Sequence, residues 1–158
     1  MLRGLALAML LVVTGVAAHG QTVRKPPYWA SIAASEAMMR TGPGKEYPAT
    51  WEYRRADLPI RVVEIYKNWR KIEDPGGTSG WMQVTLLSDT RTALVTSKEP
   101  APLYEKPDGT SKVHYFVEAG VVGRLSKCAS GWCELNVGGR RGFIRTDQFW
   151  GLSEGESF

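Results

Sequence analysis

The sequence predicts an all-β chain made of two tandem small barrels or sandwiches behind a secretory leader. Three observations carry this. Leu125-Ser126-Lys127-Cys128, a short link, Trp132-Cys133-Glu134-Leu135, a Gly139-Arg140-Arg141 turn and Gly142-Phe143-Ile144 read as three short strands joined by two tight hairpins. An earlier stretch echoes it: Ile65-Tyr66-Lys67, then Trp69-Arg70-Lys71-Ile72, an Asp74-Pro75-Gly76-Gly77 turn and Gly80-Trp81-Met82. The third observation is an apolar run from Leu5 to Ala18, preceded by Arg3 and followed by small residues.

That run matches the pattern of a cleaved signal peptide over residues 1–20, with the cut near Ala18-His19-Gly20. A membrane anchor is the competing reading, but a spanning helix needs about 20 apolar residues and the run falls short. The expected address is therefore periplasmic or secreted, with no membrane span in the mature protein. The formal net charge is +4, and removal of the leader takes away only Arg3 among the charged residues, leaving about +3. Arg54-Arg55, Arg70-Lys71 and Arg140-Arg141 are isolated pairs and not the dense basic stripe of a nucleic-acid binder, so no nucleic-acid partner is expected.

In order, residues 21–27 are polar and end in Lys25-Pro26-Pro27, an extended lead-in that cannot join a sheet ladder. A first unit is expected over 28–96. It opens with a strand from Tyr28 to Ala33 and a break at Ser35-Glu36. Met38-Met39-Arg40 follows, and Thr41-Gly42-Pro43-Gly44 ends that segment abruptly. Trp51-Glu52-Tyr53 and Ile60 to Tyr66 are β-branched or aromatic strands, Leu86-Leu87 a helical turn, and Thr92 to Thr96 the unit's last strand. Residues 97–102, with Pro100 and Pro102, read as a linker. A second unit is expected over 103–152, with a turn at Pro107-Asp108-Gly109 and a helical turn over Thr146 to Trp150. Residues 153–158 are acidic and polar, and are expected to be a mobile tail. Units this small are marginally stable alone, so a staple or mutual packing is expected.

Strand side chains alternate between faces. Ile72, Met82 and Val84 then share a core face in the first unit, and Cys133, Leu135, Val137 and Ile144 in the second. Trp69, Trp81, Trp132 and Phe143 fall on the opposite face among polar neighbours that include Arg145. These five residues are the candidate ligand contacts, because half-exposed rings on a rigid sheet offer large apolar area at little entropic cost. Packing of the rings against loops or against the other unit is the alternative.

Cys128 and Cys133 flank a hairpin link and face each other, which makes a disulfide the expected state of an exported chain. Closing so short a loop is worth about 2 kcal/mol on the chain-entropy estimate. No catalytic constellation assembles. His114 stands alone in a β-rich run, Ser130 is in no nucleophile elbow, and Thr41-Gly42-Pro43-Gly44 lacks the lysine of a phosphate loop. No metal or other cofactor is expected.

Met39-Arg40-Thr41-Gly42-Pro43-Gly44 with Tyr47-Pro48, Leu58-Pro59, Asn68-Trp69-Arg70-Lys71-Ile72 and Gly80-Trp81-Met82, together with Cys128 to Cys133, Gly142-Phe143-Ile144 and Trp150-Gly151-Leu152, resemble the bacterial SH3-like domain family in its tandem exported form. The resemblance covers nearly all of residues 28–152. It implies a five-stranded barrel per unit, no catalysis, and a role as a cell-wall-targeting or protein-binding module. It places Trp69 and Trp132 at the position of the groove tryptophan. The second unit departs from the pattern: Phe143 stands where a tryptophan is expected, and the Arg-x-Gly-Pro element is missing. The expected function is non-catalytic binding at the cell envelope, with peptidoglycan peptides or an envelope protein as partner. The alternative is a protein-protein scaffold whose aromatics pack the units together.

Overall fold

A computed structural model describes residues 24–158, so the leader lies outside the described residues. The described residues form fourteen strands and two single turns of 3-10 helix, with the strands in the order β1 (Tyr28–Ile32), β2 (Ala37–Arg40), β3 (Ala49–Tyr53), β4 (Pro59–Tyr66), β5 (Trp69–Glu73), β6 (Ser79–Gln83), β7 (Leu87–Ser88), β8 (Thr92–Val95), β9 (Ala101–Tyr104), β10 (Val113–Val117), β11 (Val122–Ala129), β12 (Trp132–Val137), β13 (Arg140–Arg145) and β14 (Phe149–Trp150). The helical turns, Val84–Leu86 and Thr146–Gln148, precede β7 and β14. Among the described residues no helix is long and apolar enough to cross a membrane.

The strands form two antiparallel sheets of the same plan, ordered β3-β2-β6-β5-β4-β1-β7 and β10-β9-β13-β12-β11-β8-β14. Each has seven strands where five were expected. The two extra ones are the arms of a hairpin, β2–β3 or β9–β10, inserted between the first strand and the long fourth one. Alternation holds in the first half of β4, where Ile60 and Val62 are wholly buried and Arg61 is partly exposed; a register shift between Val62 and Glu64 then resets the faces, so that Glu64 and Tyr66 look to solvent. Pro59 sits at the strand's first residue, where a missing N–H is tolerated.

Each sheet encloses its own core. Ile32, Met39, Ile60, Val62, Ile72 and Met82 fill the first. Val95, Leu103, Leu125, Cys133, Leu135 and Ile144 fill the second. Of the predicted core faces, Ile72, Met82, Cys133, Leu135 and Ile144 are all at 0% exposure and Val137 is partly buried against the second core, whereas Val84 opens a 3-10 turn and is only partly buried. A disulfide joins Cys128 and Cys133.

Three expectations are corrected. The strand expected over Thr92 to Thr96 does not close the first unit: as Thr92–Val95 it pairs with β11 and β14 and puts Ala93 and Val95 into the second core. It is the counterpart of β1, which pairs with β4 and β7. The linker read over 97–102 is shorter, because Ala101 and Pro102 already belong to β9 and Ala101 is fully buried.

The tail is also held in place. Phe158 and Cys128 exchange backbone hydrogen bonds at 2.9 and 3.0 Å, and Glu156 forms an ion pair with Arg91. The Arg91 guanidinium lies 4.6 Å from the Phe158 ring centre.

Candidate functional site

The five candidate contacts separate into two clusters, one per unit. In the first unit Trp69 opens β5 directly after the two-residue turn Lys67-Asn68, where Tyr66 and Trp69 pair across the hairpin. Lys67 takes a left-handed backbone with φ of 46° and holds its ammonium 5.3 Å from the centre of the Tyr66 ring.

Facing this hairpin is the loop after β2. Arg40 Nη1 donates to the Tyr47 carbonyl at 2.8 Å, and Thr41 N donates to the Pro48 carbonyl at 3.1 Å, which folds the loop back on itself. The Tyr47 ring lies against Gly42, where a Cβ would come within 2.4 Å of a ring carbon. Only glycine admits the ring there. Between the loop and the hairpin runs an open cleft of about 400 Å³, lined by Pro43, Glu46, Tyr47, Tyr66, Lys67 and Trp69.

Burial corrects the expectation of half-exposed rings in this unit. Trp69 and Trp81 are each only 9% exposed. Both share the outer face of their strands with Lys71 and Gln83, as the register Trp69↔Gln83 and Lys71↔Trp81 requires. Face sorting identified that side but not what covers it. The exposed rings of the cleft are Tyr47 and Tyr66, at 42% and 48%. Sequence reasoning missed both. Tyr66 follows the register shift in β4, which overrides the parity of the strand's first half, and Tyr47 sits in a loop, where period-two alternation does not apply.

In the second unit Trp132 and Phe143 are half-buried and Arg145 is exposed. Trp132 lies directly across from Arg145, and Phe143 pairs with Tyr104. The Trp132 and Tyr104 rings meet edge to face, with centroids 5.6 Å apart. Arg145 binds Asp147 through two hydrogen bonds of 3.2 and 3.1 Å. That carboxylate, with a smaller contribution from Tyr104, raises the guanidinium pKa above its ordinary value. Trp132, Phe143 and Arg145 thus gather around Tyr104, a residue the sequence reading passed over.

Glu134, two residues after Trp132 on the same strand, is only 8% exposed, with Lys127 and Arg141 supplying its counter-charges. Among the described residues no group of three or more His, Cys, Asp or Glu is placed to hold a metal ion.

The bacterial SH3 domain profile matches residues 33–89 and 97–151. Among solved structures, the chain is similar to NlpC2 from Trichomonas vaginalis, at 12% identity and a TM-score of 0.35 over 80% of this chain and 49% of that one. It is similar to NlpC1 from the same organism, at 14% and 0.36 over 90% and 50%. A third is an NlpC/P60 family protein from Bacillus cereus ATCC 10987, at 16% and 0.36 over 77% and 55%. The chain thus spans about half the length of each. No curated protein matches it. With the repeated sheet, the hairpin tryptophan and both profile matches agreeing, the chain belongs to the bacterial SH3 domain family and carries two such domains in tandem.

Proposed function

We propose that this protein is a non-catalytic, exported binding module of the cell envelope. Its cleft in the first unit takes an extended segment of peptidoglycan peptide or of a cell-wall-associated protein. The observation that carries this reading is the cleft itself: Trp69 lines it together with two exposed tyrosines, with Lys67 and Glu46 contributing one charge of each sign. Rings fixed on a hairpin and a braced loop present contact area without much loss of freedom on binding. The cluster of Trp132, Tyr104, Phe143 and Arg145 is a second aromatic contact surface. Export is supported by the leader-like run Leu5 to Ala18, and by the disulfide, a bond that persists in oxidising compartments.

One observation favours the scaffold reading in part. Trp29 and Trp150 pack against each other across the two units. These are not the cleft rings, so packing the units and binding a ligand draw on different aromatics.

Cosedimentation with purified sacculi tests the proposal. The wild-type protein pellets, and Tyr47→Ala with Tyr66→Ala weakens binding by roughly tenfold or more, as loss of central aromatic contacts does. Equal pelleting of both proteins removes the cleft mechanism. No pelleting of the wild type removes the peptidoglycan ligand.

A further inference from the structure

The two units share a barrel but fill one corner of it differently. In the first, Ala37 pairs with Tyr53 and Met39 with Trp51; in the second, Ala101 pairs with Val117 and Leu103 with Tyr115. Ile72 lies across from Gly80 and Leu135 across from Gly142, so Asp74 and Val137, two residues further along, are counterparts. Tyr53 and Val117 therefore occupy one position, Asp74 and Val137 a second, and Met39 and Leu103 a third.

In the first unit the corner is full. Tyr53 is 5% exposed, and its hydroxyl donates to Asp74 Oδ2 at 2.9 Å and lies 3.8 Å from Met39 Sδ. Burial and this carboxylate push the phenol well above its usual pKa, so it stays protonated and bonded. In the second unit, two valines replace the ring and its acceptor. An open groove of about 490 Å³ lies there, lined by Leu103, Tyr115, Phe116, Val117, Val121 and Val137, with Glu118 and Arg140 among its walls.

We propose that this groove is a docking site for a phenylalanine-like side chain carried on an extended segment of another protein. The first unit shows that a six-membered ring fits this corner of the barrel. The replacement of Asp74 by Val137 selects the chemistry, because a phenol entering the second unit finds no carboxylate at Asp74's position, and the groove's one acid, Glu118, is exposed to solvent at its wall. An unsubstituted ring is preferred by about tenfold on that account.

The neighbouring edge selects the carrier. β10 is the last strand in its sheet and is hydrogen-bonded on one side only, to β9. Val113–Val117 contains no proline or lysine of the kind that blunts an edge. Phe116, at 67%, is the most exposed large hydrophobic residue among those described. A segment added to this edge satisfies its outward backbone groups and directs alternate side chains toward the groove.

Methyl-resolved NMR of the whole protein, titrated with N-acetyl-phenylalanine amide, N-acetyl-tyrosine amide and N-acetyl-alanine amide, tests the proposal. The phenylalanine probe is expected to shift the Leu103, Val117, Val121 and Val137 methyls saturably. The tyrosine probe is expected to bind about tenfold more weakly, and the alanine probe not at all. Val117→Tyr with Val137→Asp, which installs the first unit's own filling, abolishes the shifts. Should that pair fail to fold, the surface variant Phe116→Ser weakens the phenylalanine probe at least about threefold. Equal or unsaturable shifts with all three probes overturn the site. Concentration-dependent shifts of the same methyls without any probe overturn the partner, since the occupant is then a second copy.

Discussion

Trp29 and Trp150 stand edge to face between the two units, with ring centroids 4.6 Å apart and planes at 86°. The Trp29 indole N–H also donates to Ser153 Oγ at 2.9 Å. Elsewhere along the junction Arg55 donates to the Gly120 carbonyl at 2.7 Å, and Arg124 lies 3.7 Å from Asp57. The exposed ion pair adds little, so burial of the two indoles dominates the coupling. Two domains this small gain from such packing.

Trp29→Ala is accordingly expected to cost about 3–5 kcal/mol and to divide a single unfolding transition into two. Urea denaturation followed by indole fluorescence and by far-UV circular dichroism checks this. Coincident transitions in the variant, with a midpoint near wild type, would show that the units are not coupled through this pair.

Gly142 and Gly80 lie against β9 and β2, respectively, with no room for a side chain. A Cβ on Gly142 would lie 2.7 Å from Leu103 Cβ and 3.1 Å from the Tyr104 carbonyl oxygen; on Gly80 it would lie 2.6 Å from Met39 Cγ and 2.9 Å from the Arg40 oxygen. This crowding is the reason a glycine precedes Trp81 and Phe143. Gly142→Ala is expected to destabilise the protein by about 1–3 kcal/mol, read as a lower urea midpoint at unchanged slope. An unchanged midpoint would mean that β9 moves away at no cost.

The docked tail depends on pH through Glu156. Burial raises its pKa, but the hydrogen bonds from Arg91 and from the Ser153 N–H outweigh that and leave the carboxyl below its ordinary value. A carboxylate depressed in the folded state contributes stability above its unfolded pKa of about 4.3, and that contribution is lost as pH falls through the lower folded value. Amide exchange at Phe158 and Cys128 should therefore quicken on acidification over that window, relative to the core of the second unit. Glu156→Gln should show fast exchange at neutral pH as well. Protection that stays flat from neutral pH to below the carboxylate range, in either protein, argues that the backbone pairing alone holds the tail.

Alternation and turn chemistry are local, and the features that rest on them were legible in the chain. Ile72, Met82, Leu135 and Ile144 face the core because they sit at the right parity in short strands. Cys128 and Cys133 are joined because a hairpin link sets them opposite each other. The duplication was visible in the echo of the two tryptophan hairpins. Non-local partners were not visible. Parity tells which face Ala93 and Val95 present but not which sheet receives them, and hydrogen bonding to β11 decides that.

The same limit governs the site. Face sorting placed Trp69 and Trp81 away from the core, yet only the folded loops determine that both are covered and that Tyr47 and Tyr66 are left open. The difference between Tyr53 with Asp74 and Val117 with Val137 is written in the sequence. It acquires meaning only when strand register superimposes the two units, because pairing across a sheet joins residues that the chain keeps far apart.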